Sequence, residues 1–236
     1  MSVLFAWHRL AVILPSLPCP LFYPGTAALL EPPSMLKVLL SAASGDISQG
    51  GSMTVEHKLM TGESFDQFLA THRDGLYELI HGEIVEKVPA QAHAKIAGII
   101  LGELYLYLKQ HPEIKAHLGP EVRYRPEGDL YNDRLPDVSV QLSDQPPVRR
   151  GAVPGMPNLA VEIKSPDDSY MSLRDKAGYY VQHGCPMVWL IYPEKRIVEV
   201  YQPGKDIDLL VTGDTLSGGE ILPGFRLAVE AVFGEQ

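Results

Sequence analysis

A strand reading Leu159-Ala160-Val161-Glu162-Ile163-Lys164 puts a carboxylate and an ammonium on one side of an otherwise apolar ribbon, because residues i and i+2 share a face. Burying such groups is costly unless something pairs or binds them. A second acid, Asp137, follows Pro136 and opens its own strand-like run, Asp137-Val138-Ser139-Val140-Gln141-Leu142. Phosphodiester hydrolysis requires a water made nucleophilic, charge neutralised on the phosphate, and help for the departing oxygen. Magnesium takes hard oxygen ligands and usually only one or two protein carboxylates. Asp137 and Glu162 meet that demand, and the main-chain carbonyl of Ile163 could complete the protein's share. Lys164, one strand repeat beyond Glu162, could orient the attacking water or stabilise charge on the phosphate. As a bare pattern this motif arises readily by chance. The competing reading is an exposed strand end with an ordinary Glu–Lys pair.

The elements that must position these residues follow from periodicity and turn residues. Glu63 to His72 reads as a short helix with Phe65, Phe68 and Leu69 at helical spacing and Thr61 as its cap. Leu76–Ile80 and Glu83–Val88 read as strands joined by a tight His81-Gly82 turn. Ala92 to Gln110 is the clearest helix, with Ile96, Ile99, Ile100, Leu104 and Tyr107 along one side. Strands are expected at Glu121–Arg125, Asp137–Leu142 and Leu159–Lys164. A helix is expected over Ser172–His183, started by a capping box at Ser172–Asp175 and closed by Gly184 and Pro186. Met187–Tyr192, Ile197–Tyr201 and Asp208–Val211 read as further strands, and Gly218–Val229 as a last strand or a cover over the sheet edge. This order predicts an α/β (α+β) domain with a central mixed β-sheet flanked by helices.

Four segments, in order, carry a resemblance: Tyr77–Val85, Leu135–Val140, Leu159–Pro166 and Gly184–Pro193. Together they resemble the Uma-two family of restriction-endonuclease-like proteins, a branch of the PD-(D/E)XK nuclease superfamily, from about Met53 to Val229. The resemblance implies a restriction-endonuclease-like core with a metal site at splayed strand ends. It makes Asp137 and Glu162 the metal-binding acids, for Mg²⁺ or Mn²⁺, and Lys164 the lysine of the ExK element. Many relatives carry an apolar residue at the Lys164 position, with a helical lysine proposed to substitute, so Lys176 is the rival. His81 stands where relatives often have an Asp. Glu78 and Glu83 could each add a carboxylate or be strand-edge residues facing water. His93 could contact phosphate, move a proton, or simply satisfy nearby backbone. Trp189 reads as core.

Composition limits the classes. The chain has 236 residues, 45% apolar and 21% charged, as in an ordinary globular domain. Two cysteines exclude a disulfide framework, show no zinc spacing and favour a cytoplasmic setting. A net charge of −9 argues against a general nucleic-acid coat but not against a nuclease with metal-supplied charge. No P-loop, GxGxxG turn or GxSxG elbow is present. The apolar run Leu10–Phe22 is broken by Pro15, Pro18 and Pro20, so neither a signal helix nor a membrane span is expected. Residues 1–52 are read as an extension, disordered and upstream of a natural start at Met53, and 53–236 as a single nuclease-like domain. The expected function is a metal-dependent DNA endonuclease, working as a homodimer so that two sites can cut a duplex. The alternatives are a non-catalytic nucleic-acid or protein-binding module and another phosphodiesterase on the same scaffold.

Overall fold

The structure, a computed structural model, describes residues 59–234. The extension expected over 1–52 and the start expected at Met53 lie outside the described residues. Helix α1 (Gly62–Thr71) is followed by strands β1 (Leu76–Ile80) and β2 (Glu83–Lys87) and by the long helix α2 (Gln91–Gln110). Next come β3 (Ala116–Pro120), β4 (Tyr124–Arg125), β5 (Val138–Leu142), β6 (Val153–Pro154) and β7 (Leu159–Ile163). Helix α3 (Tyr170–Gln182) leads to β8 (Met187–Tyr192), β9 (Ile197–Tyr201) and β10 (Asp208–Leu210). Strands β11 (Thr215–Ser217) and β12 (Arg226–Ala228) and a short helix α4 (Val229–Val232) follow.

Six strands form the central sheet in the order β10-β9-β8-β7-β5-β3. Only β7 and β8 run parallel, with α3 as their crossover; the other neighbours are antiparallel, so the sheet is mixed. The two parallel strands lie at the centre and are buried along their whole length, which their nearly continuous apolar sequences require. One face packs Val138, Val140, Val161 and Ile163 against Ile96, Ile100 and Leu104 of α2. Trp189 belongs to this core and stacks on Phe225, its ring centroid 5.9 Å away. The other face packs Ala160, Val188 and Leu190 against Leu173, Ala177 and Tyr180 of α3. No described helix is long and apolar enough to cross a membrane.

Two local readings need correction. The strand expected at Glu121–Arg125 is instead two pieces, β3 ending at Pro120 and the two-residue β4. Gly119 and Pro120 hide β3 in the sequence, and it tolerates them because it is the edge of the sheet. Glu121, at φ 51°, then turns the chain out of the sheet. Helix α3 begins at Tyr170 rather than Ser172, because the Ser169 hydroxyl, not that of Ser172, caps it by accepting from Ser172 N–H at 2.9 Å.

The β1–β2 hairpin stands apart from the main sheet. His81 and Gly82 both have positive φ, 51° and 80°, the conformation of a tight hairpin turn. Leu79 fixes it to the chain leading into β5 by exchanging backbone bonds with Asp133 at 3.0 and 2.9 Å. The Asp133 side chain is fully buried and pairs with Arg123 and Arg125, each at 2.6 Å. Asp66 of α1 joins the same two arginines, tying the first helix to this junction. Removing one member of a buried ionic cluster strands the others. Asp133→Ala is therefore expected to lower stability by about 3 kcal/mol and to speed amide exchange in β1. Urea unfolding and hydrogen exchange measure the two effects; a wild-type midpoint would show that the cluster does not hold the hairpin.

Candidate active site

Strands β5 and β7 pair with Val138 opposite Val161. Continuing that register by one residue sets Asp137 opposite Glu162, on neighbouring strands at the same end of the sheet. Directly opposed side chains share a face with Cβ atoms about 5 Å apart, so two acids distant in sequence become neighbours. The junction is closed by backbone: Asp137 N–H donates to Val161 O at 3.0 Å, and Ile163 N–H donates to Asp137 Oδ2 at 2.7 Å.

Five further side chains converge on the pair. Lys87, at the end of β2, donates to Asp137 Oδ1 at 2.6 Å and to the Leu135 carbonyl at 2.7 Å, and stands 3.8 Å from Glu162 Oε2. Lys176 of α3 bridges Glu162 Oε2 at 3.0 Å and Glu78 Oε2 at 2.9 Å. Glu78 Oε1 accepts from Leu135 N–H at 2.7 Å, and Glu162 Oε1 accepts from the Tyr180 hydroxyl at 2.8 Å. His93, in the first turn of α2, has Nε2 3.2 Å from Asp137 Oδ2 and Nδ1 3.2 Å from the Ser165 hydroxyl. All three acids are at least nine-tenths buried, yet they line a cavity of about 290 Å³ that also admits Lys87, His93, Ile163 and Lys176.

Burial opposes charge on every one of these acids. For Asp137 the Lys87 ammonium and His93 outweigh burial and hold the carboxyl below the ordinary carboxylate range. Lys176 and Lys87 do the same for Glu78. For Glu162 burial prevails, helped by the charges of Asp137 and Glu78, and its carboxyl is pushed up despite both lysines. Burial acts against the Lys87 charge too, but Glu162, Asp137 and Glu78 raise its value above that of an ordinary lysine. Three acids share two ammonium groups, and Glu162 bears the deficit.

Of the candidates read from sequence, the structure brings together Glu78, His93, Asp137, Glu162 and Lys176, with Ile163 in the wall. Glu83 and Lys164 are not brought in. Glu83 is exposed at the start of β2. Lys164 keeps to the α3 side, as alternation requires, but its ammonium donates to Ser165 O at 3.0 Å, lies 3.9 Å from Glu194, and sits 5.2 Å from the Tyr170 ring centre. Its backbone N–H still donates to Ile191 O of β8 at 2.9 Å, but its side chain runs toward Glu194 of the β8–β9 turn instead of the acids. Lys87 is the residue that sequence reasoning missed.

The donor set suits a divalent ion of the magnesium type. The Lys87 ammonium, between Asp137 Oδ1, the Leu135 carbonyl and Glu162, occupies a cation position built from oxygens. Among the described residues no three acids, histidines or cysteines are arranged to hold a metal. A two-carboxylate site matches magnesium, which retains several waters, better than it matches zinc.

A family model described as "Uma2: Putative restriction endonuclease" matches residues 63–230. Among solved structures, the chain is similar to a putative nuclease belonging to DUF820 from Anabaena variabilis ATCC 29413. The TM-score is 0.58 with 24% identity, covering 66% of this chain and 89% of that one, a likeness of fold. A DrdV–DNA complex gives a TM-score of 0.32 and 16% identity over 56% of this chain and 11% of that one, too low to bear on either fold or function. No curated protein matches.

The opposite displacements of Asp137 and Glu162 have opposite consequences. A carboxyl held low contributes stability above its unfolded value near pH 4, and that contribution is lost as pH falls through the folded value. A carboxyl held high costs stability once pH rises past its ordinary value. Asp137→Asn is therefore expected to cost about 3 kcal/mol at pH 7, a deficit that shrinks on acidification. Glu162→Gln, which keeps an acceptor for Tyr180, should change stability by less than about 1 kcal/mol. Urea unfolding of both variants across pH checks this; equal losses at neutral pH would refute the assignment.

Proposed function

The chain belongs to the Uma2 family described as putative restriction endonuclease, and on that premise we propose that it is a metal-dependent DNA endonuclease hydrolysing phosphodiester bonds. The single observation that carries the reading is the meeting of Asp137 and Glu162 around one cation position in the wall of a cavity. Asp137 and Glu162 would hold Mg²⁺ or Mn²⁺, with the Ile163 carbonyl as a further ligand. Such an ion supplies positive charge against the phosphoryl oxygens and lowers the pKa of an attacking water.

The chain's own residues do the rest. His93 and the Ile163 N–H fix Asp137 from two sides, so the acid meets a ligand already oriented. Tyr180 fixes the other carboxylate, donating to Glu162 Oε1. Lys176, tied to both Glu78 and Glu162, is the helical lysine best placed to face a phosphate or the attacking water. Lys87 is a second cation at the same oxygens, and once displaced from them its charge is available to the substrate. Cutting both strands of a duplex would then call for a homodimer.

The test is cleavage of supercoiled and single-stranded DNA by the full chain with Mg²⁺, Mn²⁺ or chelator. Cleavage should require the metal and fall by at least about 100-fold in Glu162→Ala and in Lys176→Ala, while Lys164→Ala retains most of it. Tight DNA binding with no cleavage under any metal would instead establish the binding-module alternative.

Metal occupancy has its own readout. Lys87→Met removes the competing ammonium and leaves the acids uncompensated. Mn²⁺ should therefore raise the melting temperature of Lys87→Met more than that of the wild type, by calorimetry. An equal or smaller rise would mean that the ion does not use these oxygens.

A further inference from the structure

We propose that Arg134 forms a second anion subsite that holds a backbone phosphate of the nucleic acid beside the candidate site, an inference that rests on the phosphodiester reading. The Arg134 side chain is only 4% exposed. Its guanidinium stacks over the neutral Tyr179 ring, 4.0 Å from the centroid. The hydroxyl of that ring is itself committed, donating to Asp129 Oδ2 at 2.7 Å. Its Nε–H is buried with no acceptor, and it makes no ion pair among the described residues. Nearby Arg123 and Arg125 are instead each matched to Asp133 and Asp66. A buried guanidinium without a counter-ion is costly, so a partner from outside the chain is the economical account of it.

Arg134 lines a cavity of about 450 Å³ between the tip of the β1–β2 hairpin and α3. Ile80, Ser172 and Lys176 line both this cavity and the one holding Asp137 and Glu162, so the two adjoin. The other charges in its wall are largely committed. Arg174 is bound to Glu199, Lys176 is bound to Glu78 and Glu162, and Asp175 is the one acid. The planar guanidinium fork suits a phosphate or phosphodiester better than a point cation does. A strand whose scissile phosphate lies at the acids would offer a neighbouring phosphate to Arg134. That contact would position the strand without reading its sequence.

The experiment follows the Arg134 Nε–H by ¹⁵N NMR in the full chain, assigned by its loss in Arg134→Gln. Inorganic phosphate and a short duplex are titrated separately, with chelator present. The resonance should shift with both. Duplex affinity should weaken about tenfold in Arg134→Gln, with partial rescue by Arg134→Lys, and the salt dependence should fall by about one charge. No shift with either ligand overturns the subsite, as does unchanged duplex affinity in Arg134→Gln. A shift with inorganic phosphate alone overturns its assignment to a nucleic-acid backbone. The shift itself is read in the wild-type chain, and Arg134→Lys, which also lacks the Nε–H, gives a second assignment should Arg134→Gln misfold. A chain that binds duplex through Arg134 but cleaves nothing with any metal would sink the endonuclease reading and leave the subsite standing. Metal-dependent cleavage with a silent Arg134 would do the reverse.

Discussion

Three carboxylates, Glu78, Asp137 and Glu162, are buried within reach of one another, and the rest of the molecule is arranged around that cost. Isolated ions in a protein interior are destabilising by several kcal/mol each, and like charges make each other worse. Compensation comes from two ammonium groups delivered by separate elements, Lys87 from the hairpin and Lys176 from α3. The hairpin has few contacts of its own with the main sheet. The Lys87–Asp137 bond, the Glu78–Leu135 bond and the Leu79–Asp133 pairing hold it at the sheet end. Electrostatic need and tertiary position are here the same constraint.

The sheet explains why the acids meet at its end. Antiparallel pairing of β5 with β7 aligns Asp137 with Glu162, and parallel pairing of β7 with β8 requires a crossover, which α3 supplies. Crossing back over the face that carries Ala160 and Glu162, α3 sets Tyr180 and Lys176 against the acid. The opposite face packs on α2, whose first turn brings His93 to Asp137. The two walls that α2 and α3 supply are therefore each backed by a hydrophobic layer.

What was legible in the sequence follows from the same physics. An acid inside the run Leu159–Ile163, and another opening Val138–Leu142, stand out because apolar neighbours make their burial conspicuous. The helix and hairpin boundaries were readable wherever Thr61, Gly82 or Gly184 marked a cap or turn. Lys87 was not readable. It ends a strand with exposed Glu83 and Glu86, where a lysine facing water is the ordinary expectation, and its partner Asp137 lies 50 positions away. Lys164 misled for the converse reason: alternation fixes the face a side chain takes, but not how far along that face its long stem reaches. Edge strand β3 was hidden by Gly119 and Pro120, residues that a central strand would reject.

The charge balance bears on how such a chain could meet a polyanion. With a net charge of −9, attraction at long range is weak, and any favourable field must be local. The cations near the cavity are largely committed: Lys87 and Lys176 to the buried acids, Arg123 and Arg125 to Asp133 and Asp66, Arg174 to Glu199. Another cation at the acids would free ammonium charge within the cavity they line, where a phosphate would need it. On the proposed reading, the apparent mismatch between an acidic protein and an anionic substrate would become a condition for order, because the two lysines would turn to phosphate only once the carboxylates are satisfied. Arg134 is the exception among these cations, with no carboxylate partner and the ring of Tyr179 as its support. It marks where a phosphate could be held before that exchange takes place.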